Sequence, residues 1–484
     1  MILRNLVSFA ALAVCSPSVL ASPQQVLDAA APAVQGLDVG LAAFDIDHIR
    51  EDIFFLASDE MGGRDSPSPE QRIAARYIRK RLQKQGWQPG WKDSYLHPYQ
   101  LPANKMDLES CGLTLEVDGE TMKLELGSDY FFHLTARGRR SASGGAVWID
   151  DLSKGDIDGF DLEGHWVVGE AKRGLSSKRR KELTAAGSLG AIVLPSEGTE
   201  STVAEVHGPR FAFLKRTQNF PTDEAKFGYL FLTEPVAERL TEALGDVMSG
   251  KALPLRATET LTVTEGQSDL ENVMGLWPGS DPSLKNEVII LSAHYDHVGK
   301  RDNGDIYNGA DDNGSGTTGL LALCEAIAAY GPMRRTIMLH WVSAEEKGLL
   351  GSRAWTQDPW LPEGMQPVCN VNIDMIGRNA DDKLNITPTR DHPEYSWLTK
   401  VAEANSGEEG FPKLGNADAY YERSDHFNYR KNLGIPVAFL FSDVHDDYHK
   451  TSDTAEKINL DKIRRVGRLV LRMLHDLQGD ELRR

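Results

Sequence analysis

Histidine and carboxylate residues follow several apolar segments of this sequence, at the points where strands are predicted to end. His294 and Asp296 come directly after the apolar run 288–293, and Asp374 comes directly after Ile373. Charged groups are seldom placed beside buried strands unless a partner compensates them. Imidazole nitrogens and carboxylate oxygens are ligands of zinc, so the pattern predicts a metal site. The candidate ligands are His294, Asp312, Glu346, Asp374 and His449.

Two members of this set have neighbours that offer the same chemistry. Asp311 directly precedes Asp312 in the glycine-rich stretch 309–316. Three other imidazoles compete with His449 for the last position, and residue types alone do not decide among them. These three are His297, His426 and His445.

Two histidines and three carboxylates suffice for two divalent cations about 3.5–4 Å apart, with one aspartate bridging them. Metal pairs of this kind form the hydrolytic sites of phosphatases and aminopeptidases. If Glu346 is a ligand, the adjacent Glu345 is free to act as general base on a water molecule. The pattern therefore predicts a two-zinc hydrolytic site with an open position for water.

Two further residues are candidates for supporting roles. Asp296 lies two residues after His294, so on extended backbone both side chains point the same way and the carboxylate can accept the ring N–H. Tyr448 directly precedes His449. Its hydroxyl could donate to a tetrahedral intermediate, or its ring could simply line the site.

Alternating strand and helix patterns after residue 260 would bring these residues together. Strands are predicted at 287–292, 336–343, 368–373 and 435–441, and helices after Gly314, after Glu346, at 394–405 and at 460–477. This alternation is typical of an α/β fold with a mainly parallel central sheet and helices on both faces. Ligands of such sheets bind beyond the carboxyl ends of the strands, where the candidate residues lie.

The ordered motifs resemble the co-catalytic zinc metallopeptidases of the aminopeptidase Y and glutamate carboxypeptidase family. The resemblance covers roughly residues 45–105 and 260–480. The motifs are His294-Tyr295-Asp296, Gly309-Ala310-Asp311-Asp312-Asn313-Gly314-Ser315-Gly316, Ala344-Glu345-Glu346-Lys347-Gly348, Asn372-Ile373-Asp374-Met375, Arg423-Ser424-Asp425-His426 and Tyr448-His449-Lys450-Thr451-Ser452-Asp453-Thr454.

The resemblance assigns roles that spacing leaves open. It implies that Asp312, rather than Asp311, bridges two zinc ions. It implies that His294 and Asp374 complete one metal site. It implies that Glu346 and His449 complete the other. It further implies Glu345 as the general base and Arg423 as a substrate contact.

The middle of the chain has a different character. Short alternating strands predict a small β-rich domain at residues 107–258, inserted into a peptidase domain at 45–106 and 259–484. The run Gly190-Ala191-Ile192-Val193, preceded by Ala185-Ala186-Gly187, resembles the protease-associated domain. An unrelated β-rich insertion is the alternative.

The first 21 residues predict a signal peptide, because a basic start and a short apolar run lead to small residues, with cleavage after Ala21. Export to the periplasm or the medium is therefore expected. A buried N-terminal helix is one alternative, and lipoprotein anchoring through Cys15 is another, although the large Val14 before the cysteine disfavours anchoring. The remaining cysteines, Cys111, Cys324 and Cys369, form no disulfide framework and allow at most one bridge.

Composition excludes several classes of protein. The chain has 484 residues, a net charge of −18 and no strong basic patch, so a nucleic-acid partner is not expected. Beyond the N-terminus, no apolar run approaches the ~20 residues of a membrane span. The oligomeric state is not set by the sequence.

The expected function is that of an exported two-zinc aminopeptidase acting on peptides. A carboxypeptidase or dipeptidase on the same scaffold is the nearest alternative, and the single-metal glutaminyl cyclase branch fits less well because the five-ligand set favours two metals. From another class, the chain could be a binding protein with a structural metal. That alternative leaves Glu345 without a role.

Overall fold

The computed structural model describes residues 36–133, 138–172, 174–196, 201–216, 220–301, 303–480 and 482, so the predicted signal peptide lies outside the described residues. The described α-helices are α1 Leu37–Ala42, α2 Ile46–Leu56, α3 Pro69–Lys84, α4 Ser177–Ala185, α5 Val203–Arg216, α6 Glu234–Leu244, α7 Gly316–Tyr330, α8 Leu350–Gln357, α9 Trp397–Asn405, α10 His426–Leu433 and α11 Leu460–Asp476. The described strands are β1 Gln88–Pro89, β2 Leu96–Pro102, β3 Lys105–Met106, β4 Gly112–Val117, β5 Glu120–Leu124, β6 Tyr130–Phe132, β7 Arg140–Asp151, β8 Trp166–Glu170, β9 Gly190–Leu194, β10 Gly228–Leu232, β11 Ala252–Leu261, β12 Val263–Thr264, β13 Gln267–Trp277, β14 Glu287–His294, β15 Thr336–Val342, β16 Gln366–Asp374, β17 Asn385–Thr387, β18 Gly415–Asn416 and β19 Val437–Phe441.

The chain divides into two compact units. The first unit comprises the residues up to Tyr99 together with those from Leu270 onward, and the second comprises Gln100–Asp269. The insertion boundaries predicted at 107 and 258 lie inside the second unit. A continuous second unit therefore interrupts the first in sequence.

The first unit is built on a sheet whose central strands are parallel. Strands β15, β14, β16 and β19 lie side by side in that order and run in the same direction. Antiparallel pairing flanks this core, through β13 on one side and β17 on the other. The predicted α/β class with a mainly parallel central sheet is confirmed.

Both faces of this sheet are covered, which explains the continuous apolar runs of its strands. In β14, Ile289 and Leu291 pack into a core with α7 and α11. The intervening Val288 and Ile290 pack into a separate core on the opposite face, with residues such as Trp355 and Tyr429. Because successive side chains of a strand point to opposite faces, a strand buried on both faces is apolar at every position.

The second unit has its own eight-stranded sheet among the described residues, with strand order β5-β4-β11-β7-β8-β9-β10-β6. Strands β7 to β10 pair in parallel, and helices α4 to α6 belong to the same unit. A buried ion pair lies in it, with Nε of Arg140 2.7 Å from Oε2 of Glu259. Among the described residues, Cys111, Cys324 and Cys369 are free thiols, and no helix is long and apolar enough to cross a membrane.

Candidate metal centre

The candidate ligands gather at the carboxyl ends of the parallel strands. Strand β14 ends at His294 and β16 ends at Asp374. The turn after β15 carries Glu345 and Glu346, and the loop after β19 carries His449. Parallel strands end at one edge of a sheet, so strand topology alone brings groups from distant parts of the sequence together.

One cluster forms around the ring of His294. Its Nε2 atom lies 3.3 Å from Oδ1 of Asp374 and 3.5 Å from Oδ1 of Asp312. All three residues are buried. They offer one nitrogen and two carboxylates within 4.8 Å of one another, which suits a divalent cation.

A second cluster forms around His449. Its Nε2 atom lies 3.0 Å from Oδ2 of Asp312 and 3.2 Å from Oε2 of Glu346. His297 is the fourth member, with Nδ1 2.8 Å from Oε1 of Glu346. Of the imidazoles that the sequence offered for this position, His449 and His297 lie in the cluster.

The remaining alternatives lie elsewhere. Asp311 accepts a hydrogen bond from the Gly377 amide at 2.6 Å, and its other oxygen lies 3.2 Å from Nε2 of His445. The buried ring of His426 stacks on Phe439, with ring centres 4.5 Å apart. Among these residues, Asp312 is the aspartate that faces both clusters.

The two oxygens of Asp312 divide between the clusters. Oδ1 faces His294, and Oδ2 faces His449. A carboxylate that presents a different oxygen to each of two sites has the geometry required of a bridging ligand.

Two of the donor atoms are buried and have no hydrogen-bond partner. Nε2 of His449 and Oε1 of Glu346 are buried and make no hydrogen bond, although oppositely charged groups lie close to both. Burial lowers the pKa of His449, but the carboxylates of Asp312 and Glu346 outweigh it and raise that pKa to about 10. Burial likewise lowers the pKa of His294, and Asp374 and Glu345 raise it well above its ordinary value. The carboxylates that raise these pKa values also attract positive charge, so the residues fit divalent cations.

Glu345 lies beside both clusters without joining either. Its Oε2 atom is 3.9 Å from Nε2 of His294. Burial raises the pKa of Glu345 well above its ordinary value, opposed by His294 and reinforced by Glu346. A carboxylate with raised proton affinity next to a metal site is suited to accepting a proton.

Asp296 supports the site differently from the prediction. Its carboxylate is 3.7 Å from Nδ1 of His294, which exceeds a normal hydrogen bond, and its backbone oxygen is nearer to that nitrogen, at 3.2 Å. The carboxylate Oδ1 instead accepts the backbone N–H of Glu345 at 3.1 Å. Asp296 thus ties the strand bearing His294 to the turn bearing Glu345.

Tyr448 and Arg423 line a cavity that opens onto the clusters. The Tyr448 ring stacks on His449, with ring centres 4.0 Å apart, and the Arg423 guanidinium lies 5.2 Å from the centre of the Tyr420 ring. The cavity wall is otherwise mostly apolar or aromatic. The lining residues are Asp312, Glu345, Glu346, Asp374, Met375, Tyr420, Arg423, Phe439, Phe441, Val444 and Tyr448.

Sequence reasoning gave no role to Asp453, which holds the loop that carries Asp312. Its Oδ2 atom accepts the backbone N–H of Asp311 at 3.0 Å and that of Asp312 at 3.2 Å. Its only sequence signal was its place in the motif that follows His449. An acidic residue in a polar loop is too common to be singled out on that ground.

Paired histidine and carboxylate clusters at the carboxyl edge of an α/β sheet are typical of metal-dependent hydrolases. Residues 272–474 match the model of Peptidase family M28. The resemblance drawn from the motifs is thereby confirmed.

Known proteins resemble the chain over different lengths. A probable leucine aminopeptidase from Trichophyton verrucosum (strain HKI 0517) is 30% identical over 206 residues, which are 40% of this chain and 56% of the relative. The chain thus spans little more than half the length of that curated relative.

Two solved structures share the fold at 19% sequence identity. The aminopeptidase from Aneurinibacillus sp. strain AM-1 has a TM-score of 0.56, covering 91% of this chain and 96% of that chain. A zinc aminopeptidase from Bacillus subtilis has a TM-score of 0.52, covering 90% and 95%. At this identity, the likeness establishes the fold alone.

Proposed function

We propose that this chain is a zinc-dependent aminopeptidase that removes N-terminal residues from peptides. The observation that carries the proposal is the arrangement of Asp312, whose two oxygens face separate clusters of histidine and carboxylate. The relative from Trichophyton is described as a leucine aminopeptidase, and the structure from Bacillus subtilis as a zinc aminopeptidase. Both descriptions favour the same chemistry here.

The proposed ligand assignment combines the two clusters with the roles that the resemblance implies, and it leaves His297 out of the ligand set. His294 and Asp374 would hold one zinc ion, Glu346 and His449 would hold the other, and Asp312 would bridge them. When bound, the two zinc ions supply Lewis acidity and lower the pKa of water.

Glu345 is the proposed general base. It takes a proton from the attacking water and returns it to the amine that leaves when the first peptide bond breaks. Two observations support this role: its pKa is raised, which favours taking up the proton, and its Oε2 atom lies 3.9 Å from Nε2 of His294.

Tyr448 is the proposed donor to the oxyanion that develops on the peptide carbonyl. Burial, followed by the charges of Asp312 and Glu346, raises the pKa of Tyr448 above its ordinary value, so its hydroxyl remains protonated. A neutral donor aimed at developing negative charge stabilises a tetrahedral intermediate. Arg423 lines the same cavity and is the proposed contact to the substrate.

A carboxypeptidase or dipeptidase is the second candidate. Such an enzyme would recognise a free carboxylate close to the metals, and Arg423 is the one basic residue that lines the described cavity. One arginine in a cavity that also carries the four carboxylates of Asp312, Glu345, Glu346 and Asp374 favours binding of a free substrate carboxylate less than a basic cluster would. A structural metal site needs no general base, so the alternative of a binding protein does not explain the position of Glu345.

Export is part of the proposal and depends on the first 21 residues. Expression in a secreting bacterial host followed by N-terminal sequencing of the mature protein tests it. A mature chain that begins at Ser22 supports export, whereas an intact Met1 in the cytoplasmic fraction contradicts it.

The test of activity is hydrolysis of aminoacyl-anilides, N-blocked peptides and peptides read at their C-termini, before and after chelation and zinc return. Zinc-restored cleavage of free-amine substrates alone is the expected result. Cleavage of blocked peptides at the C-terminus would replace the proposal with a carboxypeptidase. No turnover by protein with zinc bound would leave the binding protein as the better description.

A further inference from the structure

A short turn near the N-terminus, far from the matched residues 272–474 in sequence, is built into the metal centre. The turn comprises Gly62, Gly63, Arg64, Asp65 and Ser66, and it follows helix α2. It contacts three loops that carry candidate ligands or the proposed base. We refer to it as the Gly62–Ser66 turn.

Arg64 is the centre of these contacts and is only 1% exposed. Its Nε donates to the backbone oxygen of Tyr295 at 3.0 Å, directly after His294. Its Nη1 and Nη2 donate to the oxygens of Asn308 and Gly309 at 2.8 Å each, shortly before Asp312. Nη1 also donates to the backbone oxygen of Leu56. One guanidinium therefore joins the end of β14 to the loop that carries Asp312.

The neighbours of Arg64 extend the connection. The Gly299 amide donates to the Gly63 oxygen at 3.1 Å, and the His297 amide donates to the Arg64 oxygen at 3.3 Å. Ser66 Oγ accepts the amide of Ala344 at 3.1 Å, just before Glu345. The turn thus contacts the loop after β14, the loop before Asp312 and the turn after β15.

The backbone of the turn is held in a conformation that costs free energy for arginine. Gly62, Gly63 and Arg64 have φ values of 51°, 69° and 46°. Glycine adopts such values freely, but a residue with a Cβ is strained there and persists only when its surroundings demand it. A Cβ at Gly63 would lie 2.4 Å from the Tyr307 oxygen, so the two segments approach as closely as backbone allows.

Acidic groups around Arg64 favour its charged form. Burial lowers the pKa of the guanidinium to about 10, and Asp296, Asp312, Asp453 and Glu346 oppose that shift, so the group stays charged at neutral pH. A buried arginine without a carboxylate bound to it directly, surrounded by carbonyl oxygens and facing acidic groups, stabilises the negative cluster without occupying a ligand position.

We propose that Arg64 is a positioning residue that sets the distance between the two metal sites by fixing the Asp312 loop against the strand that ends at His294. The inference rests on the proposed two-zinc site. The guanidinium is suited to this task because it is planar and directs donors to several acceptors at once. Lysine carries the same charge but cannot bridge these separate carbonyl oxygens with a fixed fork.

The experiment compares Arg64→Lys with Arg335→Lys in the full chain. Arg335 is the control: it is also 1% exposed and binds the backbone oxygens of Leu477 and Gly479 at 2.7 Å each, and it differs from Arg64 in pairing through Nε with Oε2 of Glu287 at 2.6 Å. It precedes β15, at the opposite end of the parallel strands from the metal centre. Zinc affinity is measured by competition with a chromogenic chelator, and kcat, KM and thermal unfolding are measured on the same samples.

Arg64→Lys is expected to weaken zinc binding roughly 10- to 100-fold, the range seen when groups that orient metal ligands are changed. We expect kcat to fall at saturating zinc with little change in KM, because the bridging geometry is altered rather than the substrate cavity. Arg335→Lys is expected to lower the unfolding temperature while zinc affinity stays unchanged. Equal zinc affinities and kcat values in the two variants would overturn the proposal.

Arg64→Gly gives a second test, because glycine suits the positive φ and leaves space for a small cation. Millimolar guanidinium, compared with sodium at equal ionic strength, is expected to restore part of the zinc affinity. Failure of a folded Arg64→Gly protein to respond would count against the guanidinium contacts.

If neither Arg64 variant folds, Ser66→Ala tests the same turn by removing one hydrogen bond to Ala344. The proposal predicts a smaller loss of kcat in this variant, and an unchanged kcat would overturn it.

The zinc competition does not depend on turnover. A wild-type chain that binds two zinc ions without hydrolysing peptides would refute the proposed function while the role of Arg64 is still decided by zinc affinity.

Discussion

Asp312 and its neighbour Asp311 show how much depends on one residue position. The two aspartates are adjacent, acidic and buried, yet Asp312 faces two imidazoles while Asp311 binds a backbone amide and His445. The same division separates Glu346, which lies in a cluster, from Glu345, which lies beside it. At the scale of single residues, the position of each carboxylate oxygen distinguishes a candidate ligand from its neighbour.

The role of Glu345 is tested by Glu345→Gln. We expect kcat to fall by about 10²–10⁴-fold, the usual contribution of a positioned acid or base, because glutamine cannot accept the proton. Zinc content, measured by atomic emission, is expected to stay at the wild-type value. Glu346→Gln is the control, since it should lose zinc as well as activity. Full activity in Glu345→Gln would exclude it as the base.

His297 reaches Glu346 although it was only an alternative to His449 at the level of sequence. Its Nδ1 lies 2.8 Å from Oε1 of Glu346, and its ring is fully buried. We expect His297→Ala to weaken zinc binding about 10- to 100-fold, because groups that orient a metal ligand contribute that much to affinity. His340→Ala is the control: His340 is equally buried but bonds Tyr429 at 2.6 Å in the core. Identical zinc affinity in both variants would show that His297 does not orient Glu346.

Elements rather than single residues decide where the ligands stand. The parallel strands β14, β15, β16 and β19 end at one edge, and the loops beyond them are held by side chains from elsewhere. Asp453 binds the amides of Asp311 and Asp312, and Asp296 binds the amide of Glu345. These contacts replace the internal hydrogen bonds that loops lack, and they fix the site more rigidly than loop backbone alone.

An element of the second unit carries a predicted pH dependence of stability. Burial raises the pKa of Glu259 on β11 to about 7, against 4.5 for an ordinary glutamate, and Arg140 only partly opposes this. The folded unit therefore binds a proton more tightly than the unfolded chain. Consequently, the free energy of unfolding falls as pH rises from about 4.5 to about 7, by on the order of 3 kcal/mol.

Glu259→Gln is expected to remove this slope, because glutamine does not titrate. Urea unfolding of wild type and variant between pH 4.5 and pH 8 measures it. Glu265→Gln, in the same unit and paired at the surface with Arg139, should keep the wild-type slope. Parallel curves for wild type and Glu259→Gln would contradict the prediction.

The whole molecule consists of two units with separate hydrophobic cores. The core of the first unit includes Ile289, Leu291 and Val466, whereas that of the second includes Trp166, Ile192 and Leu230. The candidate metal centre draws its ligands from the first unit alone. Metal binding should therefore stabilise one unit directly.

Chelation tests this division. A ligand that binds only the folded state at a free concentration 1,000 times its Kd stabilises that state by about 4 kcal/mol. We expect calorimetry to show two unfolding transitions, of which chelation lowers one and zinc return restores it. Glu259→Gln should shift the other. A single transition that shifts as a whole on chelation would mean that the units unfold as one.

Local patterns in the sequence determined much of the architecture. The strands predicted for the central sheet lie within a few residues of the observed ones. Continuous apolar runs and turn residues act over short stretches, so they can be recognised without knowing the fold. The histidines and carboxylates that follow those runs are also recognised locally, so the sequence predicted the residue types of the candidate ligands.

Only the tertiary structure decided which of several similar groups lie in the candidate metal centre. His297 joined a cluster, Asp296 bound an amide rather than chiefly a ring, and Arg64 connected loops more than 230 positions away in sequence. Strand β13, absent from the sequence-based assignment, is polar over its first residues and takes its place by pairing with β15. Residue types and short-range periodicity therefore specified strands, helices and the kind of metal site. Which atoms meet depended on packing between distant segments, a property that no local pattern contains.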